Sequence, residues 1–133
     1  MPIELEMVLR LIMATALGAI IGYQRERAAK PAGLRTHVLI CVGAALFTIA
    51  SLYGFGGAAD PARVAAGIVA GIGFLGAGAI IRREEGFVAG LTTAATIWAV
   101  AAIGLAAGAG LYLVSAVTTA LILIVLFLPH PIR

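Results

Sequence analysis

Long apolar segments, separated by short charged or glycine-rich stretches, limit what this chain can fold into. Hydrophobic residues make up 62% of the sequence and charged residues only 11%, whereas about a quarter of an ordinary globular domain is charged. A hydrocarbon core about 30 Å thick is crossed by a helix of roughly 20 apolar residues. The pattern therefore predicts membrane spans near residues 5–23, 37–53, 63–81, 91–106 and 111–128.

These segments also indicate the fold class. They lack the strict alternation of apolar and polar residues that is typical of membrane β-strands, so helices are expected throughout. We predict an all-α membrane protein of about five transmembrane helices. With 133 residues in the chain, five spans leave no room for a second domain, and residues 1–133 form a single transmembrane domain.

The basic residues are distributed unevenly among the connections. If the segment after the first span is cytoplasmic, seven of the nine lysines and arginines face the cytoplasm. Because cytoplasmic loops carry the excess of basic residues, we expect an external N-terminus and a cytoplasmic C-terminus. The acidic start, Met1–Glu6, is unlike a cleavable signal, so we expect it to be retained. Orientation explains the net charge of +3, and no nucleic-acid partner is expected.

Three charged residues near the external side have simple structural interpretations. Glu6 and Arg10 are four residues apart, so they are expected to pair on one helical face, with Arg10 extending toward the outer surface. Asp60 precedes Pro61 and is typical of a helix N-cap. A functional acid at Asp60 is the alternative.

A short pattern occurs twice in the same order. Gly18–Ile21, a charged stretch and Ala32–Thr36 are matched by Gly78–Ile81, a second charged stretch and Ala89–Thr93. Both copies would run from outside to inside and back, which predicts two parallel helical-hairpin repeats followed by a fifth helix. Chance similarity among small residues is the alternative.

The glycine-rich run Gly71–Gly78 has the spacing of a dinucleotide-binding loop, but no strand precedes it and no βαβ unit surrounds it. In a membrane helix, small residues instead let neighbouring backbones approach closely. A kinked or broken transport helix is the alternative. Gly104 and Gly108 repeat the same spacing. The run predicts a helix-packing surface made of Gly67, Gly71, Gly73, Gly76 and Gly78.

Three of these motifs together resemble the MgtC/SapB family of membrane proteins: Ala32–His37, Gly71–Gly78 and Gly90–Trp98. The resemblance covers nearly the whole chain. It implies a bacterial inner-membrane protein of several helices, associated with growth at low magnesium, with survival inside host cells and, for some members, with restraint of ATP synthase. Many members carry a soluble cytoplasmic domain after the last span. The resemblance therefore implies either a short form lacking that domain or a chain that has been cut.

The charged connections supply the candidate binding residues. A basic, hydroxyl-bearing surface suits an anionic lipid head group, a phosphate or an acidic partner. The alternative is that these residues only orient the protein and anchor it at the head groups, or that Arg25 and Glu26 form an ion pair between the hairpins. The candidate binding residues are Arg25, Glu26, Arg35, Thr36, Asp60, Thr92 and Thr93.

Catalysis and metal binding are not indicated. Magnesium prefers clustered carboxylates with retained water, whereas Glu26, Glu84 and Glu85 each lie near arginine. His37 and His130 lack ligand spacing and are interpreted as interface residues. No set of nucleophile, base and orienting acid is visible, so we expect no enzyme activity, no metal site and no cofactor.

The resulting prediction is a protein that modulates another membrane protein, or a lipid-dependent process, under magnesium limitation. Its expected partners are membrane lipids, another membrane protein and further copies of itself. A small oligomeric ion or solute transporter or channel is the alternative, with the glycine run as a pore or hinge.

Overall fold

The computed structural model of the protein describes residues 2–57, 60–82 and 88–129. This part of the chain contains five α-helices and one pair of two-residue antiparallel strands. Helices α1 to α4 are long and apolar enough to cross a membrane, and α5, with 15 residues, is shorter. The predicted all-helical membrane fold is confirmed, with the small strand pair as an addition. In chain order the elements are α1 (Ile3–Arg27), α2 (Leu34–Tyr53), α3 (Pro61–Gly78), β1 (Ile81–Arg82), β2 (Val88–Ala89), α4 (Leu91–Gly108) and α5 (Tyr112–Leu126).

The helix bounds differ from the predicted spans mainly around the first connection. Helix α1 continues through the charged stretch to Arg27, and α2 already begins at Leu34. Arginines in the last turn of a helix are favourable because the carbonyl end carries partial negative charge. Apolar content marks only the lipid-spanning part of a helix, so it underestimates a helix that extends beyond the hydrocarbon.

Helix α4 is the centre of the bundle, because it contacts each of the other four helices. One apolar core joins α1, α2 and α4, and a second joins α2, α3 and α4. Most other large apolar side chains are exposed, as expected for a surface that faces lipid. The first core contains Ala14, Leu17, Ile21, Cys41, Ala45, Val100, Ile103 and Ala107, and the second contains Ala32, Ala44, Ile68, Ile72, Ile97 and Ala101.

Glycines bring α2 into close contact with its two main neighbours. A Cβ atom added at Gly104 or Gly108 of α4 would overlap the backbone of α2. On α1, a Cβ atom at Gly18 would lie 2.8 Å from Cys41 Cβ, and one at Gly22 would lie 2.9 Å from the backbone of Leu34. The absence of side chains at these positions therefore sets the helix separations.

The glycine run of α3 behaves differently from its prediction. A Cβ atom at Gly76 would lie 3.4 Å from the carbonyl oxygen of Ala94, which is an ordinary packing contact with α4. The buried face of α3 consists of Ile68, Ile72 and Gly76, spaced four residues apart. The other four glycines of the predicted packing surface lie outside this face. Among the described residues, nothing lies within 4 Å of a Cβ atom built at Gly67, Gly71, Gly73 or Gly78. The prediction that these glycines pack against a neighbouring helix of the same chain is therefore wrong for these four positions.

The two proposed repeats form hairpins whose connections lie at the same end of the bundle. Helix α1 packs on α2, and α3 packs on α4. The second helix of each hairpin begins at the equivalent position of the repeated pattern, with Gly33 as the N-cap of α2 and Gly90 as the N-cap of α4. Gly90 has a φ of 88°, where a side chain is unfavourable. The repeats differ in packing, because a Cβ atom at Gly18 would overlap α2 whereas one at its counterpart Gly78 would meet no described atom within 4 Å.

Candidate functional site

A buried arginine lies at the hairpin-connection end of the bundle. Arg25, in the last turns of α1, is only 3% exposed. Its Nη2 atom donates a hydrogen bond to Thr93 Oγ1 at 3.1 Å. Thr93 is itself buried in the first turn of α4. This hydrogen bond links the first hairpin to the second, and it brings together two of the residues predicted from the sequence.

A buried histidine lies at the same end. His37, in the first turn of α2, is fully buried, and its Nδ1 atom lies 2.8 Å from the carbonyl oxygen of Gly33. A carbonyl oxygen only accepts hydrogen bonds, so Nδ1 carries the proton and the Nε2 atom of the neutral ring presents a lone pair. Within the part of the chain that the structure describes, neither His37 Nε2 nor Arg25 Nε has a hydrogen-bond partner. The site therefore contains a buried donor and a buried acceptor that are both unsatisfied.

Among the side chains that the structure describes, no carboxylate pairs with Arg25, and the carbonyl end of its own helix is the group that opposes its charge. Its guanidinium contacts the first turn of α4, where unpaired backbone N–H groups carry partial positive charge. Helix α4 has no side-chain cap at Gly90. Across the side chains of residues 2–57, 60–80 and 90–129, the one ion pair that forms is Glu6–Arg10, at the far end of α1. An anionic group beside Arg25 would be stabilised by both the guanidinium and the helix end.

The charge of Arg10, the second buried arginine, is compensated by neighbouring groups. Arg10 lies at the opposite end of α4, where its Nη1 atom donates to the carbonyl oxygen of Gly108 at 3.0 Å. Glu6 lies 3.2 Å away and also accepts a hydrogen bond from the Tyr112 hydroxyl. The guanidinium stacks over the Tyr53 ring at 5.3 Å. The predicted pairing with Glu6 is present, but Arg10 is 7% exposed and turns into the bundle instead of toward the outer surface.

Glu26 has a structural contact of its own. Its Oε1 atom accepts a hydrogen bond from the backbone N–H of Leu34 at 2.9 Å, so it caps the start of α2 from the end of α1. A Cβ atom at Gly33 would lie 2.5 Å from that oxygen, so a side chain at this position would require the Glu26 carboxylate to shift. Glu26 thus holds the connection between the two helices, and the alternative of an ion pair with Arg25 is not observed.

The remaining predicted site residues divide between the two ends of the bundle. Arg35, Thr36 and Thr92 are exposed at the same end as Arg25. Asp60 lies beyond the other end of α2, roughly 30 Å away along a helix of 20 residues, and it does not belong to this site. Its Oδ1 atom accepts a hydrogen bond from Ala62 N at 3.0 Å. Asp60 is therefore the N-cap residue of α3, as predicted. Arg83, Glu84, Glu85 and His130 lie outside the described residues.

The interpretation of His37 as an interface residue is wrong, because its side chain is completely buried. The sequence did contain a signal for this. His37, Cys41, Ala44 and Thr48 follow one another at the three- and four-residue spacing of a single helical face, and all four are buried. A polar residue at the end of such a face is a candidate for the interior.

Comparison with known proteins identifies the family. The sequence matches the MgtC family over residues 11–133. The chain belongs to the MgtC family. MgtC-family relatives include the putative magnesium transporter YhiD of Escherichia coli K12, 46% identical over 94% of this chain and 61% of the relative. The protein SapB of Bacillus subtilis is 42% identical over 98% of this chain and 60% of the relative.

A third MgtC-family relative, the protein MgtC of Brucella abortus, is 50% identical over 90% of this chain and 49% of its own length. The chain therefore spans about half to three fifths of the length of these relatives. No solved structure matches it. Two of the motifs that carry the MgtC-family resemblance meet at the buried arginine, since Ala32–His37 contributes His37 and Gly90–Trp98 contributes Thr93.

Proposed function

We propose that this MgtC-family chain acts by binding and not by catalysis, and that it modulates another membrane protein or a lipid-dependent process linked to magnesium limitation. The observation that carries this proposal is the buried guanidinium of Arg25, which has one side-chain hydrogen-bond partner and no carboxylate among the described residues. Burying a charge is costly unless the charge is paired and hydrogen-bonded, so a buried charge with few partners is a candidate functional site. A charge with a single hydroxyl partner is not accounted for by stability alone.

The surface around Arg25 supports an acidic partner. Arg27, Lys30 and Arg35 are exposed at this end of the bundle. Such a basic surface attracts an acidic loop or an anionic head group at long range. In our proposal the partner first meets the exposed basic residues, and one of its anionic groups then pairs with Arg25. Because Arg25 is buried in the isolated chain, the second step requires the helix ends around it to move apart.

The experiment is complementation in a bacterial strain that lacks its own MgtC-family gene and grows poorly at low magnesium. Arg25→Gln removes the charge but keeps a polar side chain with N–H donors, and we expect it to abolish growth at low magnesium without changing the amount of inserted protein. Lys30→Gln removes one exposed charge from the α1–α2 connection and is expected to retain growth. If the Arg25→Gln variant supported growth as well as the wild type does, Arg25 would not be the functional site.

The proposal also requires the Arg25 end to face the cytoplasm of an inner membrane. The test uses Lys30→Cys in a Cys41→Ala background, since Cys41 is the chain's only cysteine and is fully buried. A membrane-impermeant maleimide should label this cysteine in inverted vesicles and not in intact spheroplasts. Labelling in spheroplasts would place the basic end on the external side and reverse the assignment.

Transport is the second candidate. It is favoured by the name of the Escherichia coli relative, a putative magnesium transporter, and by the free face of α3, on which several copies could assemble around a pore. Purified protein in liposomes separates the two functions, because a binding modulator should move no ions by itself. Saturable flux of Mg²⁺, protons or phosphate through the wild-type protein, reduced by Arg25→Gln, would replace the modulator proposal.

A further inference from the structure

An open groove separates α1 from α5 near the hairpin-connection end of the bundle. It has a volume of about 770 Å³. Because α1 and α5 both end here, the groove opens on the outside of the bundle near the ends of both helices. Arg25 does not line it, so it is distinct from the site described above. Its lining residues are Ala19, Ile20, Tyr23, Gln24, Arg27, Ala28, Leu123 and Phe127.

The lining residues change from apolar to polar along the groove. Ala19, Ile20 and Leu123 form the deeper part, whereas Gln24 and Arg27 lie one to two turns nearer the end of α1. The distance from residue 19 to residue 27 is roughly 12 Å along a helix. An apolar section followed by a polar end within this distance matches the order of groups in a phospholipid, with its acyl chain inside the bilayer and its head group at the surface.

The polar end of the groove has two features that select a head group. The guanidinium of Arg27 lies 5.9 Å from the centre of the Tyr23 ring, a cation–π contact that positions it at the groove. The Oε1 atom of Gln24 is buried and has no hydrogen-bond partner among the described residues. An amide oxygen only accepts hydrogen bonds, so a donor on a ligand would satisfy this atom once the Gln24 side chain turns toward the groove. The groove thus presents a positive charge and an unsatisfied acceptor side by side.

We propose that the groove between α1 and α5 binds one molecule of an anionic phospholipid whose head group carries hydroxyl groups, such as phosphatidylglycerol. The phosphodiester pairs with Arg27, a head-group hydroxyl donates to Gln24 Oε1, and an acyl chain lies against Ile20 and Leu123. A soluble phosphate lacks the apolar part that most of the lining contacts. A phosphatidylcholine head group is neutral overall and has no donor for Gln24.

The test is native mass spectrometry of the purified chain, released from nanodiscs that contain phosphatidylglycerol, phosphatidic acid and phosphatidylcholine in equal amounts. We expect one bound phosphatidylglycerol to be retained preferentially. Arg27→Gln should lower the preference for both anionic lipids over phosphatidylcholine by about fivefold, the effect of one basic residue near an anionic lipid. Gln24→Leu should lower only the preference for phosphatidylglycerol over phosphatidic acid, because only the former carries the glycerol hydroxyls.

Two further variants make the result specific to the groove. Ile20→Trp fills the apolar section from a position that is 44% exposed, so it should abolish lipid retention without disturbing the core. Arg63→Gln removes an exposed arginine at the other end of the bundle and should leave retention unchanged. Equal retention of the three lipids by the wild type, unchanged retention in Ile20→Trp, or a protein dimer in place of the lipid adduct would each overturn the proposal.

Discussion

At the scale of single residues, the two buried arginines mark two different kinds of site at the two ends of α4. Arg10 meets the carbonyl end of the helix, a carboxylate and an aromatic ring, so its charge is compensated by the fold. Arg25 meets the N–H end and one hydroxyl group. Arginine is therefore a structural residue at one end of α4, whereas at the other end its hydrogen-bonding groups are only partly satisfied. Measurements of stability should distinguish the two arginines.

Removing these charges should have opposite effects on the free energy of unfolding. Arg10→Leu leaves Glu6 without its partner and is expected to lower the free energy of unfolding by about 2 kcal/mol, less than for a fully buried pair because Glu6 is 28% exposed. Arg25→Leu removes a buried charge that has no carboxylate partner among the described residues, and it should leave the stability unchanged or raise it. Chemical unfolding in mixed micelles measures both. A larger loss for Arg25→Leu than for Arg10→Leu would show that Arg25 is a structural residue.

At the scale of helices, the position of a glycine matters more than the number of glycines in a run. Gly104 and Gly108 contact α2 directly, whereas the denser run of α3 contributes one packing position, Gly76. Helical spacing identifies residues that share a face, but it does not identify the helix that the face meets. That is why the sequence singled out Gly67 and Gly71, although the buried face of α3 is offset by one residue.

Substitutions in the two helices should therefore differ in effect. Gly104→Ala places a Cβ atom against the carbonyl of Cys41, and we expect a loss of about 1 to 3 kcal/mol from overpacking. Gly73→Ala meets nothing within 4 Å and should raise the stability by up to about 1 kcal/mol, because alanine is the better helix former. Thermal unfolding of the two variants in one detergent measures the difference. Equal losses would mean that α3 packs more tightly than its contacts indicate.

At the scale of the whole molecule, the sequence predicted the number of helices, their order and the connection end that holds the basic residues. Apolar length and charge placement are local properties, and they determine those features. Burial of Arg25 and His37 requires α4 to dock against α1 and α2, and the uncovered face of α3 follows from the same docking. Such properties depend on contacts between distant segments, which one sequence does not report.

The uncovered face of α3 also gives the self-association predicted from the sequence a specific location. Only Ile68, Ile72 and Gly76 of α3 are buried, and an open glycine lets a second backbone approach closely in lipid. If copies associate through this face, Gly71→Cys in a Cys41→Ala background should form disulfide-linked dimers under mild oxidation in native membranes. Leu113→Cys, on a 76% exposed position of α5, is the control for random collisions in the bilayer. Equal cross-linking at the two positions would exclude this face as the contact between copies, whereas selective cross-linking at Gly71→Cys would give the open glycines of α3 a packing function between chains.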